Sequence, residues 1–159
     1  MHPLNAAAQA TGWEADWAWS LPLIILTVVI HVFGLGLLHE RVVHAVARII
    51  ARRHFTAMFA AVMGIAVLLI TVLHATEAWV WALAYWVLGA LPELRSSVLF
   101  SLGAMTTYGG SDVDLQQHWR LMGAIEALNG IILFGLTTAF LFSMIQEVGM
   151  VNRERHRRH

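Results

Sequence analysis

A short segment rich in glycine and hydroxyl groups carries the clearest chemical signal in this chain. It reads Thr-Thr-Tyr-Gly-Gly-Ser-Asp over residues 106–112 and lies between two apolar regions. Glycine adopts backbone dihedrals that other residues rarely reach, so successive carbonyl oxygens in such a segment can face one axis. Rings of carbonyl oxygens can replace the hydration shell of a cation. The segment therefore predicts chemistry done by the backbone rather than by a reactive side chain.

Ionisable side chains inside apolar segments mark further candidate sites. Glu126 lies about two turns into the last apolar run, where a carboxyl group is costly unless it is paired or faces water. We expect Glu126 to brace the glycine-rich loop through a hydroxyl such as Ser101 or Thr106, with a channel-lining position as the alternative. His74 and Glu77 share one helical face, which suits a proton-sensitive pair or an interfacial hydrogen bond.

The composition identifies the solvent of the fold. The chain has 159 residues, of which 58% are hydrophobic and 13% charged, and its mean hydropathy is +0.66. A soluble domain of this length could not bury so much apolar surface, so the lipid bilayer must surround it. A net charge of zero gives no basis for nucleic-acid binding, and the absence of cysteine excludes disulfides and thiolate metal sites. We expect one integral membrane domain.

Three apolar runs are long enough to cross a bilayer. They occupy residues 21–38, 55–73 and 121–146. Residues 40–54 carry four arginines among apolar residues, so they either lie at the cytoplasmic surface or extend the first helix into water. Residues 76–91 either extend the second helix or lie at the outer interface. The sequence predicts an all-α membrane protein with three transmembrane helices.

The arginines and tryptophans predict the orientation. With three spans, eight of the ten arginines lie on the side of the C-terminus, which the positive-inside rule places in the cytoplasm. Residues 1–20 are then external, and residues 149–159 form a basic cytoplasmic tail. All seven tryptophans, Trp81 and Trp119 included, fall at the external boundary as an aromatic belt would. We expect a cell-membrane location, such as the bacterial inner membrane.

A half-length helix precedes the glycine-rich segment. Residues 93–106 follow Pro92 and contain no helix breaker before Gly103. A helix of ~12 residues is ~18 Å long, about half the hydrocarbon thickness. Phe100-Ser-Leu followed by residues 106–112 resembles the potassium-channel signature FSL…TTVGYGD without a gap, although three filter positions differ. Trp119-Arg-Leu and Phe134-Gly-Leu are similar to parts of the inner helix of the same channels.

The resemblance covers roughly residues 55–146 and is to small prokaryotic potassium-channel-like proteins with a two-pore-domain-type pore module and a variant filter. It implies a homotetramer in which residues 55–148 form the pore module, residues 21–54 the first helix and its basic segment, and the half-length helix a re-entrant pore helix. The implied filter residues are Thr107, Tyr108, Gly109, Gly110 and Ser111, flanked by Thr106 and Asp112. Backbone carbonyls of Thr107, Tyr108, Gly109 and Gly110 would bind potassium or sodium ions.

Particular roles follow from the same resemblance. Tyr108 stands at a valine position whose side chain packs back against the pore helix, and Asp112 matches an acid at the outer mouth. Gly110 and Ser111 replace a tyrosine and a glycine, and a left-handed Ser111 would cost on the order of 1 kcal/mol relative to glycine. The family pattern therefore implies a passive cation channel, potassium-conducting with relaxed selectivity.

The last apolar run supplies the implied cavity. By the resemblance, Ile131, Phe134 and Thr138 line a water-filled cavity on one helical face. The residues alone argue equally for a face formed by Asn129, Leu133 and Thr137. Gly130 matches a gating-hinge glycine, and close helix packing explains it equally well.

Two other functions compete with the channel. Nine histidines suggest haem or metal binding, but His31 is expected near mid-membrane and His74 in the outer third, which is a poor match in depth. A non-conducting membrane scaffold with a degenerate filter is the second alternative. We find no motif of an enzyme, and we expect neither a cofactor beyond permeant ions nor a cytoplasmic ligand-binding domain.

Overall fold

The computed structural model describes the backbone of residues 3–49, 55–108 and 115–157. Every regular element in these ranges is a helix: α1 (Pro3–Ile49), α2 (Phe55–Val87), α3 (Leu94–Met105), a 3₁₀ turn (Gln117–Trp119) and α4 (Arg120–Arg157). Three helical stretches are long and apolar enough to cross a membrane, namely Trp13–Arg48, Phe55–Val87 and Gln117–Glu147. The prediction of an all-α protein with three membrane-long helices is confirmed.

The first helix is longer than the apolar run that predicted it. α1 continues from that run into the basic segment as far as Ile49, so residues 40–49 extend the helix rather than forming a separate one. Pro22 lies inside α1. Membrane helices tolerate proline because neighbouring groups satisfy the freed carbonyl.

The second helix ends at a turn built on glycine. α2 continues to Val87, so residues 76–87 extend it. Gly89 has a φ of 68°, its N–H donates to the Trp86 carbonyl at 3.1 Å, and the Ala90 N–H donates to the Tyr85 carbonyl at 2.9 Å. These are the paired bonds of a Schellman motif, in which glycine fills the left-handed position without a Cβ clash. The motif ends α2 and leads the chain into α3.

The chain divides into two compact units, and the first contains Met1–Ile30 and Ala75–Leu133. Its core consists of aromatic and aliphatic side chains, among them Trp81, Tyr85, Leu91, Leu115, Trp119 and Met122. Phe100 of α3 packs against this core, and its ring meets Tyr85 edge-on with centroids 5.3 Å apart. The half-length helix is therefore fixed by aromatic packing within its own unit.

The second unit contains His31–His74 and Phe134–His159. Its core is aliphatic and includes Leu35, Leu38, Val42, Ile70 and Met144. A Cβ added at Gly34 would lie 2.7 Å from a methyl carbon of Leu73, whereas one at Gly36 would meet nothing within 4 Å. Of these two glycines, only Gly34 serves a close contact.

Two tryptophans do not belong to the predicted aromatic belt. Trp81 is fully buried and Trp119 is 8% exposed, and both lie in the core of the first unit. Trp79, two residues before Trp81, is exposed. Residues two positions apart on a helix point in nearly opposite directions, so the position of a tryptophan along the chain does not fix the helix face that its ring occupies.

Candidate functional site

The helix α3 turns a face of small residues towards the protein. Ser97, Ser101 and Gly103 are buried, whereas the aliphatic Leu99 and Leu102 are exposed. The Ser97 hydroxyl and N–H both donate to the Glu93 carbonyl at 3.0 Å. This side-chain bond supports the first turn, where Glu93 makes no side-chain cap. The small buried residues allow α3 to pack closely.

At its other end, α3 closes with a second Schellman motif. The Thr107 N–H donates to the Ala104 carbonyl at 3.1 Å, and the Tyr108 N–H donates to the Gly103 carbonyl at 2.9 Å. Thr107 takes the left-handed position with a φ of 56°, where Gly89 stands in the first motif. A β-branched residue there costs roughly 1–2 kcal/mol. Backbone strain of this kind clusters at ligand-binding sites.

The remaining predicted filter residues have mixed outcomes. The Thr106 hydroxyl donates to the Leu102 carbonyl at 2.6 Å and so caps the helix end. The prediction that Tyr108 packs back against α3 is wrong for this chain, because its side chain is 79% exposed. The left-handed Thr107 turns the chain away from the axis of α3 and carries Tyr108 with it. Gly109, Gly110, Ser111 and Asp112 lie outside the described residues.

A buried cluster of polar groups fastens the middle of α3. Glu126 of α4 is fully buried. One of its carboxyl oxygens accepts a hydrogen bond from the Tyr85 hydroxyl at 2.8 Å, and the other is hydrogen-bonded to the Ser101 hydroxyl. The Ser101 oxygen also lies 2.7 Å from the Ala78 carbonyl oxygen. Ser101 is one of the two hydroxyls that the sequence offered as partners of Glu126. The cluster ties α3 to both α2 and α4 within the first unit.

The hydroxyl groups of this cluster carry fewer protons than the cluster has acceptor oxygens. Tyr85 and Ser101 carry one hydroxyl proton each, and three acceptor oxygens lie within hydrogen-bond reach of them. Two protons cannot serve three acceptors. The count closes if Glu126 carries a proton that it donates to Ser101, while Ser101 donates to Ala78. A neutral side chain with one donor and one acceptor therefore fits this position.

The end of α3 rests directly on Gly130. A Cβ added at Gly130 would lie 2.5 Å from the carbonyl oxygen of Met105 and 2.7 Å from its Cα. Real side chains do not approach backbone so closely, so glycine is needed for this contact. The structure thus gives Gly130 a packing role, and its service as a hinge stays a prediction.

The sequence left two faces of α4 as candidates for lining the cavity, and the burial of their side chains distinguishes them. Asn129, Leu133 and Thr137 are 1%, 0% and 6% exposed, so their face is packed inside the chain. The Asn129 amide donates to the Thr27 hydroxyl of α1 at 2.9 Å. In contrast, Ile131 and Phe134 are 56% and 67% exposed, and Thr138 is exposed as well. Only the second face remains for a cavity or for another copy of the chain.

The expectation that His31 and His74 lie at different depths is wrong. Their ring centroids are 5.1 Å apart, and Nε2 of each ring lies within hydrogen-bond distance of the Thr137 hydroxyl, at 3.2 and 3.1 Å. The second membrane-long helix runs over Phe55–Val87, well beyond the uncharged run that ends at residue 73. His74 is therefore three residues from its middle, and His31 lies at the middle of Trp13–Arg48.

Sequence reasoning missed two residues that support the site. Tyr85 carries no motif, and only the fold brings it to Glu126. Asp16 of α1 is buried and its carboxyl group lies near the backbone N–H of Met122 in the first turn of α4. α4 has no acid of its own in that turn, so Asp16 supplies the negative group that a helix N-terminus favours. Both contacts join residues distant in sequence, which no local pattern signals.

Comparison of the chain with protein-family models, with curated proteins and with solved structures found no match.

Proposed function

We propose that this chain is the subunit of a homotetrameric passive cation channel of the cell membrane. The observation that carries the proposal is the half-length helix α3, which is anchored along its length, rests with Met105 on Gly130, and is followed by a left-handed Thr107. The permeant ions are potassium and sodium, bound by backbone carbonyls of Thr107, Tyr108, Gly109 and Gly110. The N-terminus is external and the C-terminus cytoplasmic.

The length of α3 and the backbone polar groups at its end support a re-entrant position. Its twelve residues measure ~18 Å, about half the hydrocarbon core. A chain that enters a membrane this far and then leaves the helix exposes backbone polar groups, which is tolerated only where they face water or lie within protein. Four copies around an axis meet that requirement at residues 106–112. The C-terminal carbonyls of the four helices then favour a cation between them.

The anchoring of α3 supports a fixed loop rather than an ordinary bend. Ser101 is held by Glu126, Phe100 by Tyr85, and the Met105 backbone by Gly130. These contacts lie along one side of α3, so the loop that follows leaves from a rigid base. Selection among ions requires coordinating oxygens at defined positions. A rigid base is what such a loop needs.

The exposed face of α4 supports assembly. Ile131 and Phe134 present large apolar side chains that no part of the described chain covers. In a tetramer, this face lines the cavity below the filter together with Thr138. In a monomer, the same face meets lipid. Solvent access to these positions therefore separates the two arrangements.

Ion flux from reconstituted vesicles tests the proposal. We expect potassium flux from the unaltered protein and its loss in the variant Gly109→Ala, because the filter needs glycine at that position. Gly36→Ala is the matched control, since a Cβ at Gly36 meets nothing within 4 Å, and we expect its flux to equal that of the unaltered protein. Absence of flux from the unaltered protein would favour the scaffold alternative. Equal flux in both variants would remove residues 107–110 from the pathway.

A further inference from the structure

Two imidazole rings meet inside the second unit. His31 of α1 is fully buried, and His74 of α2 is half-buried. Their ring centroids are 5.1 Å apart, the ring planes are inclined by 45°, and a nitrogen of one ring lies within 4.8 Å of a nitrogen of the other. Ionisable side chains in the middle of membrane helices are costly and mark functional sites. The proposed filter does not use this pair.

Both rings point a nitrogen at the same place. Nε2 of His74 lies 3.1 Å, and Nε2 of His31 3.2 Å, from the Thr137 hydroxyl oxygen of α4. A neutral imidazole can carry its proton on either ring nitrogen, so both Nε2 lone pairs can be directed towards one point. Thr137 is 6% exposed, which keeps bulk water from that point.

The spacing of the rings is that of two ligands to one ion. Zinc–nitrogen bonds are ~2.0–2.1 Å long, so two imidazoles on one tetrahedral zinc ion have ring centroids roughly 5 Å apart. The centroids of His31 and His74 already have this separation. A bis-histidine haem requires a porphyrin plane between the rings. Here both rings contact a single hydroxyl group instead, which disfavours haem.

The donor set favours a divalent transition metal over the proposed permeant ions. Imidazole nitrogen binds Zn²⁺, Cu²⁺, Ni²⁺ and Fe²⁺, whereas alkali and alkaline-earth ions prefer oxygen.

We propose that His31 and His74 together bind one divalent transition-metal ion of the zinc class within the membrane-spanning helices. The proposal rests on residues of the second unit and does not depend on ion conduction. The chain contains nine histidines, so the test must separate this pair from the other seven. A variant that keeps only His31 and His74, with the other seven changed to glutamine, does so.

The experiment uses full-length protein, purified without a polyhistidine tag, stripped with a chelator and dialysed against micromolar Zn²⁺. We expect one zinc ion per chain in this two-histidine variant, which keeps only His31 and His74. Adding His31→Gln or His74→Gln to that variant should weaken binding by at least ten- to a hundredfold, the loss seen even for supporting residues of metal sites. Co²⁺ should give the absorption of a tetrahedral nitrogen and oxygen site only when both histidines are present.

Either of two results would overturn the proposal. One is that the two-histidine variant binds no zinc while the unaltered chain does, which would assign binding to other histidines. The other is zinc binding that survives loss of His31 or His74. Should a variant with His31→Gln or His74→Gln fail to fold, zinc-edge X-ray absorption of the two-histidine variant shows whether imidazoles bind the ion. Two imidazoles at ~2.0–2.1 Å support the site, and a zinc spectrum without imidazole contradicts it.

Discussion

Adding one methyl group at Gly130 tests how the end of α3 is held. In Gly130→Ala, the new Cβ would lie 2.5 Å from the Met105 carbonyl oxygen, so about 0.9 Å must open before the pair reaches the 3.4 Å of ordinary contact. The obstacle is backbone at the end of a helix, which cannot rotate aside as a side chain can. Overpacking of this kind costs roughly 1–3 kcal/mol.

Gly135→Ala is the matched control on the same helix. A Cβ at Gly135 meets nothing within 4 Å, so this change should stabilise α4 by roughly 0.5–1 kcal/mol through helix propensity alone. Gly130→Ala gains the same propensity term. The difference in unfolding free energy between the two variants therefore isolates the contact with Met105, and we expect roughly 1–3 kcal/mol.

Equilibrium unfolding in mixed detergent micelles, followed by circular dichroism, measures this difference. We expect Gly130→Ala to unfold at the lower denaturant concentration and Gly135→Ala at a concentration equal to or above that of the unaltered protein. Equal stability of the two variants would refute the packing of α3 on Gly130. If flux changed while stability did not, Gly130 would act as a hinge instead.

Three further predictions concern the cluster, the loop and the exposed face. Glu126→Gln should change the unfolding free energy by less than ~1 kcal/mol, because an amide supplies both a donor and an acceptor. Glu126→Leu leaves the Tyr85 hydroxyl without its acceptor and should cost roughly 1–3 kcal/mol. Equal losses in the two variants would contradict a protonated Glu126. Thr107→Gly should be more stable than Thr106→Gly by roughly 1–2 kcal/mol, because only Thr107 has a positive φ, and the reverse order in a thermal melt would contradict the strain. The chain has no cysteine, so Phe134→Cys and Ile132→Cys can be labelled singly with a water-soluble thiol reagent. We expect rapid reaction only at position 134, since thiolates form in water, and equal rates would place both in lipid.

The course of the helices was predictable where local chemistry decides it. Apolar length predicted three membrane-long helices, and Pro92 and Gly103 bracketed a half-length helix close to its observed bounds, Leu94–Met105. Gly89 explains where α2 stops, because the turn needs a positive φ. The sequence could not decide whether residues 76–91 continue α2, since aromatic residues suit both a helix and an interface.

Contacts between distant residues were less accessible. Trp81 and Trp119 were assigned to an interface from their depth, but burial depends on the direction of the side chain. His31 and His74 were placed at different depths while the sequence left open whether residues 76–91 extend the second helix, and α2 in fact continues to Val87. The link from Glu126 to Ser101 was foreseeable because a buried carboxyl group needs a partner. Its second partner, Tyr85, was not.

The measurement closest to the central claim is the reversal potential of the purified protein in planar bilayers under opposing potassium and sodium gradients. We expect a current that reverses on the potassium side of zero and short of the potassium equilibrium potential, because the protein forms a cation pore with a variant filter. A current that reverses at the anion equilibrium potential, or no current from protein that is folded and inserted, would contradict the account.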